Sequence, residues 1–208
     1  MAREIKDPRN ARSRRTRDAV LAATRAILEK DGFEALSIAA VAAHAGISRQ
    51  AVYLHFGSRS ELVTALFDFM AQQEGLTESL DPVHNAPDVI TALREWARHL
   101  ATYHPRLMAV DSAIDRVRHV DADAARYRET IDARQMAGCR ALARRLADEG
   151  RLAEPWTVDT AADMLWSLIA TDLFKRLLAR GWTAARTAEH LGAMFEATFV
   201  RPPEPADR

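Results

Sequence analysis

Residues 37–59, S-I-A-A-V-A-A-H-A-G-I-S-R-Q-A-V-Y-L-H-F-G-S-R, decide how this chain is read. Ile38, Val41, Ala42 and Ala45 recur at i, i+3, i+4 and i+7, which makes one apolar stripe on a short helix. Ser37 stands where an N-cap belongs, and Gly46 follows the stripe where a left-handed C-cap residue sits. Ile47 plugs the corner between two helices. Ser48 caps the second helix, and Val52 and Phe56, four apart, turn it inward. Arg49, Gln50, Ala51, Tyr53, Leu54 and His55 are left facing outward. A short helix with Arg and Gln at its N-terminal end suits a DNA major groove, because both side chains pair bidentately with base edges. Helical hairpins with a glycine at the turn also occur in all-α proteins that bind no nucleic acid. From stripe and turn alone, a DNA-reading head and a plain packing hairpin both stand.

The flanking sequence separates the two. From residue 12 to about residue 69 the chain resembles the TetR-type (tetracycline-repressor-like) regulators. The likeness rests on A-V-L-A-A-T-R-A-I-L at 19–28, G-F-E-A-L-S-I at 32–38, A-G-I-S-R-Q-A-V-Y-L-H-F at 45–56 and S-R-S-E-L at 58–62. The V-Y-x-H-F core followed by Ser-Arg or Ser-Lys and an apolar helix is specific to that family. The rest of the chain resembles the family only in helix layout and length. The resemblance implies that Arg49 contacts base edges, with Gln50 and Ala51 beside it. Ala51 replaces a threonine common among relatives and offers only a methyl, which suits a thymine methyl. Tyr53 and His55 match positions that touch phosphates, and Arg59 replaces a lysine that does the same. Ser37 and Ser58 present helix N-termini to phosphates, and Ser48, at the head of the reading helix, is counted with them. Arg12, Arg14, Arg15 and Arg17 are expected to reach a minor groove or neighbouring phosphates.

Charge agrees with such a head. The whole chain balances 29 Lys+Arg against 29 Asp+Glu, yet residues 1–60 hold 11 basic and 6 acidic residues, a net of +5. Residues 61–208 hold 18 against 23, a net of −5. A basic end on an acidic body fits contact with a polyanion at one end, although an arginine-rich terminus is elsewhere often a solvated tail. Cys139 is the single cysteine, so no intrachain disulfide and no cysteine-based zinc site is expected. The N-terminus is charged, without an apolar signal core, and nothing approaches a membrane span. A cytoplasmic location follows as the expectation.

Helices are expected from 16 to 30, from 37 to 56 in two pieces, and from Ser58 through Leu62, Leu66, Phe69 and Met70. Residues 75–87, with two prolines, read as a loop, and further helices as about 88–103, 105–118, 121–149, 157–180 and 183–199. No period-two alternation stands out, so no sheet is expected. Between residues 161 and 178 apolar side chains, Leu165 and Leu173 among them, lie almost all round the helix, and Leu191, Phe195 and Phe199 form a stripe on the last. Both patterns fit either a buried monomer core or a helix pair shared with a second copy; the resemblance implies a four-helix bundle across a dimer axis. It also implies a cavity for an effector, lined by Trp96, Tyr103, Met108, Met136, Trp166 and Phe174, residues that serve equally well as plain core. His99, His104, Asp111 and Arg116 are candidate polar groups for such a cavity. His99 and His104 are five apart and fall on different helix faces, so no metal pair is expected. No catalytic motif, metal or cofactor is found, and Cys139 reads as a buried, inert thiol.

The expectation is an all-α protein. Residues 1–58 form an arm and a three-helix helix-turn-helix domain that binds a double-stranded DNA operator; residues 59–208 form a helical domain that dimerises and binds a small apolar or aromatic effector. It would be a transcriptional regulator, a repressor rather than an enzyme. Two other readings stand: an unliganded DNA-binding or nucleoid-organising protein, and a helical enzyme or interaction module that keeps the hairpin as scaffold.

Overall fold

The computed structural model describes residues 11–202. Ten α-helices are described: α1 Ala11–Lys30, α2 Ile38–Ala45, α3 Arg49–Tyr53, α4 Arg59–Gln73, α5 Leu76–His84, α6 Val89–Val117, α7 Ala122–Asp148, α8 Val158–Ser167, α9 Thr171–Ala179 and α10 Ala184–Phe199. The fold is all-α, as expected; among the described residues the sole β pairing is an isolated bridge between Leu152 and Val200. The expected arm before residue 11 lies outside the described residues.

The chain divides into two compact units. The first contains the described chain up to Glu74 together with Ala109–Thr130; the second contains Gly75–Met108 and the chain from Ile131 onward. Helices α6 and α7 each supply residues to both units.

In the first unit α1 packs on α2 and α4. The expected α1 face is the buried one: Val20, Leu21, Thr24, Ile27 and Leu28. Thr24 is tolerated there because its Oγ1 donates to Val20 O at 2.9 Å. Val41 and Ala42 of α2 and Val52 and Phe56 beyond it complete this core with Leu62, Val63, Leu66 and Met70 of α4.

In the second unit Trp96 meets Phe195 at 5.1 Å between ring centroids, and Phe199 meets Trp156 at 5.1 Å. Trp156 Nε1 also donates to Thr198 O at 2.8 Å, so the indole is satisfied at both its apolar and polar ends.

Three expectations from the sequence are corrected here. Residues 75–87 are not a loop, since α5 fills most of them with Pro82 inside it. Gly75, at φ 68, stands at the N-terminal cap of α5, and Val83 and Leu80 bury a helical face against the second core. Pro105 does not start a helix; it lies within α6. The apolar stripe keeps its phase across it, from Leu93, Trp96, Ala97 and Leu100 to Val110, Ala113, Ile114 and Val117, all buried. Burial on both sides outweighs the roughly 3 kcal/mol that an interior proline costs. Residues 157–180 are two helices, broken at Ala170 with φ −57 and ψ 132. On one helix Ile169 and Phe174 would point about 140° apart. The break lets both be buried, at 4 % and 2 % exposure.

Candidate nucleic-acid interface

The hairpin is fixed by caps within four residues of each end. Ser37 Oγ accepts from Ala40 N at 3.1 Å, and Ser48 Oγ accepts from Ala51 N at 3.1 Å. Gly46 adopts the left-handed conformation, φ 67, that stops α2. Ile47 N then donates to Ala42 O at 3.0 Å, closing the turn. A side chain at this φ would be strained, so the glycine sets the angle between α2 and α3. Ser58 caps α4 by accepting from Glu61 N at 3.1 Å, and Glu61 Oε2 accepts from Gly57 N at 2.9 Å. These reciprocal bonds hold the start of α4 just beyond α3.

The outward surface of α3 carries Arg49 and Gln50, both exposed, and Tyr53, which is 53 % exposed. Ala51 is half-buried beside them. Arg12, Arg14 and Arg15 are exposed along the first turns of α1. Helix α3 therefore presents two long donors and a phenol from one short, capped element, a set able to meet base edges and phosphates.

Three residues expected to face DNA sit differently. His55 is only 8 % exposed, a correction to its outward reading. The helical phase ends with α3 at Tyr53, so the His55 ring folds back beside Phe56, 6.5 Å between centroids. Burial, and then the Arg17 charge, push its pKa below the usual histidine range. Arg17 lays its guanidinium 4.4 Å above the Phe56 ring and donates to His55 O at 3.4 Å. It clamps α1 onto the end of the reading helix. Arg59 donates from Nη2 to Asp121 Oδ2 at 2.6 Å and from Nε to Asp123 Oδ2 at 2.8 Å. Its guanidinium also lies 5.2 Å from the Phe33 ring centroid. Asp121 and Asp123 were not singled out by sequence reasoning, and nothing in the local pattern marks them.

Residues 20–66, which span α1, the hairpin and the start of α4, match the family model described as bacterial regulatory proteins, tetR family. The chain carries a TetR-family N-terminal domain. The architecture agrees over nearly the whole chain. NalD of Pseudomonas aeruginosa, the secondary repressor of the MexAB-OprM multidrug efflux pump, is 24 % identical, with TM-score 0.69, covering 91 % of this chain and 98 % of its own. A proposed TetR-family regulator from Rhodococcus sp. is 16 % identical with TM-score 0.71, covering 88 % and 97 %. A proposed transcriptional regulator from Saccharomonospora viridis, solved in complex with choline, is 16 % identical with TM-score 0.72, covering 91 % and 100 %. At these identities the likeness establishes the fold, that of TetR-family transcriptional regulators. Among curated proteins none matches the chain.

The second unit gathers some of the residues expected to line a cavity. Trp96, Tyr103 and Phe174 are buried, while Met108, Met136 and Trp166 are half-buried and packed against the same apolar core. His99 stacks on Tyr103 at 5.0 Å, and His104 lies 5.3 Å from Phe174. The separation of His99 and His104 onto different faces is corrected: their rings meet edge-on at 6.0 Å. Asp111 and Arg116 belong to the first unit. A groove of about 910 Å³ lies elsewhere in the second unit, between Arg94, Arg98 and Thr102 of α6 and the small residues of α10. None of the six expected lining residues borders it.

The expected interface stripe lies largely inside the chain's own core. Leu165, Phe195 and Phe199 have no exposed surface, Leu191 is 6 % exposed, and all four belong to the core of the second unit. Leu173 is half-buried against it. Outward-facing apolar side chains on this helix set are instead Met164 and Leu178, each 42 % exposed. Cys139 is buried, and burial pushes its thiol up to about 12, far from the thiolate a nucleophile needs. Among the described residues no cluster of His, Cys, Asp and Glu has the makings of a metal site, and no helix is long and apolar enough to cross a membrane.

Proposed function

We propose that this protein is a cytoplasmic, homodimeric transcriptional regulator that represses from a palindromic operator and is released by a small apolar or aromatic effector. Residues 1–58 read the operator, and residues 59–208 sense and dimerise. The observation that carries the reading is the capped α2–α3 hairpin with Arg49, Gln50 and Tyr53 exposed on a basic head. Dimerisation draws on Met164, Leu178 and the outward alanines of α10, since the inner stripe is filled by the chain's own core. An effector is in keeping with the choline-bound relative from Saccharomonospora viridis.

Selection of bound duplexes from a random pool tests the reading: a recovered inverted repeat supports it, and a pool without enrichment refutes it. On the recovered operator, Arg49→Ala costs about 1–3 kcal/mol and blurs one position of each half-site. Arg17→Ala acts differently. It removes the clamp on Phe56 and His55, lowers stability by about 1 kcal/mol, and weakens operator binding without changing the slope of log K against log salt. A slope flattened by about one unit would instead make Arg17 a phosphate contact.

The dense packing of Trp96 and Phe174 favours a second reading, operator binding with no effector. Titration of a panel of hydrophobic compounds against the operator complex separates the two, because only an effector-responsive protein releases DNA.

A further inference from the structure

We propose that Asp121 and Asp123 form a latch that competes with DNA for Arg59, so that the turn between α6 and α7 sets how strongly the head grips its operator. The proposal rests on the DNA-binding reading above and names how that site is regulated.

Arg59 is the first residue of α4, directly after the Ser58 cap. Its guanidinium spends two donors on two separate carboxylates, Nη2 on Asp121 at 2.6 Å and Nε on Asp123 at 2.8 Å. All three side chains are partly shielded, 32 % exposed for Arg59 and 23 % and 18 % for the aspartates, so the pairing is less screened than a bridge on open surface. The Phe33 ring adds a third contact to the guanidinium. The acidic side is built in place. Asp121 Oδ1 accepts from Asp123 N at 2.9 Å and Ala124 N at 3.2 Å, which caps α7 and fixes the carboxylate that faces Arg59. Burial pushes the Asp121 carboxyl up, but the bonds from Arg59 and the α7 backbone outweigh it, and it stays below the usual carboxylate range.

A guanidinium held by two carboxylates is poorly available to a phosphate, since both kinds of partner use the same N–H edges. Operator binding that uses Arg59 must therefore break the latch, and that cost is subtracted from affinity. The latch also sits where it can be controlled. Asp121 and Asp123 stand at the turn from α6 to α7, and both helices continue into the second unit. A displacement of either helix moves the carboxylates and changes how readily Arg59 is released.

The test is a double-mutant cycle on the operator duplex recovered by selection, with affinity measured across a range of salt. Asp121→Asn with Asp123→Asn keeps the cap on α7 and removes both charges. Operator affinity is expected to rise about three- to tenfold with Arg59 present. In an Arg59→Gln background the same two changes are expected to gain less than about twofold. Removing Arg59 flattens the log K against log salt slope by about one unit in the Asn pair, and by clearly less when both aspartates are present. A gain of equal size in both backgrounds overturns the latch, because it would be the general effect of deleting acidic charge near DNA. Arg59→Lys guards against a folding defect in the Gln variant. It keeps the charge but loses the fork that spans two carboxylates, so its gain from the Asn pair is expected to be smaller than that of the arginine. Failure to recover any operator refutes the DNA-binding reading, and the latch with it; a recovered operator with an additive cycle refutes the latch alone.

Discussion

Phe195→Ala lowers the stability of the chain by about 3–5 kcal/mol, the cost of emptying a buried aromatic site. Phe195 has no exposed surface, and it packs against Trp96 at 5.1 Å and Phe199 at 6.4 Å. The loss is expected to be the same at every protein concentration, because the ring serves its own chain's core. A residue that served a dimer interface would behave otherwise, weakening association while leaving the unfolding of the separated protomer unchanged. Met164→Ala provides the contrast: it is 42 % exposed, and its truncation should cost under about 1 kcal/mol in the fold. Chemical denaturation at two protein concentrations, one tenfold above the other, measures both. A Phe195→Ala loss that shrinks as concentration rises would return this ring to the interface.

The head was legible because its determinants are local. Ser37, Gly46 and Ser48 act on groups three or four residues away, and the α1 stripe repeats within a few turns. The second unit was harder to read because tertiary burial overrides local signals there. Pro82 and Pro105 are breakers by composition, yet each sits inside a helix whose apolar face is covered. Conversely, Ala170 is an ordinary helix former at a break, and only the need to bury both Ile169 and Phe174 explains it. The stripe of Leu191, Phe195 and Phe199 shows a related ambiguity: an apolar row states that it must be covered, and not by which chain.

For the candidate site, residue type and helix position sufficed to place Arg49 and Gln50 on the exposed surface of α3. They did not suffice for arginines with distant partners. Arg17 reaches His55 across 38 positions, and Arg59 reaches Asp121 and Asp123 across 62 and 64. A basic residue near a DNA-reading helix looks the same in sequence whether it waits for a phosphate or is already engaged.

Acid is expected to unfold the second unit through His99. The ring is 6 % exposed, shares a hydrogen bond of 2.7 Å between its Nδ1 and Ser79 Oγ, and lies stacked on Tyr103. Burial first, and then the nearby His84, lower its pKa from 6.5 to about 4. Between these two values the unfolded chain binds a proton that the folded chain refuses, so stability falls as pH falls. The contribution is whole above about pH 6.5, is lost progressively toward pH 4, and levels off below that. A difference of this size corresponds to about 3 kcal/mol over the window. His99→Phe removes the titration while keeping a ring against Tyr103. It should lose about 1 kcal/mol at neutral pH with the Ser79 bond, because Ser79 is only half-buried and turns to water. Its stability should then be flatter than that of the parent from pH 6.5 to pH 4, so that the two curves converge and cross. Carboxylates elsewhere titrate in both proteins and cancel in the difference. Denaturant midpoints measured at half-unit steps of pH give that difference directly. Parallel curves would show that the acid-sensitive group lies elsewhere. Convergence would place the acid-sensitive group beside Tyr103, His104 and Phe174, in the same cluster where an effector is proposed to act.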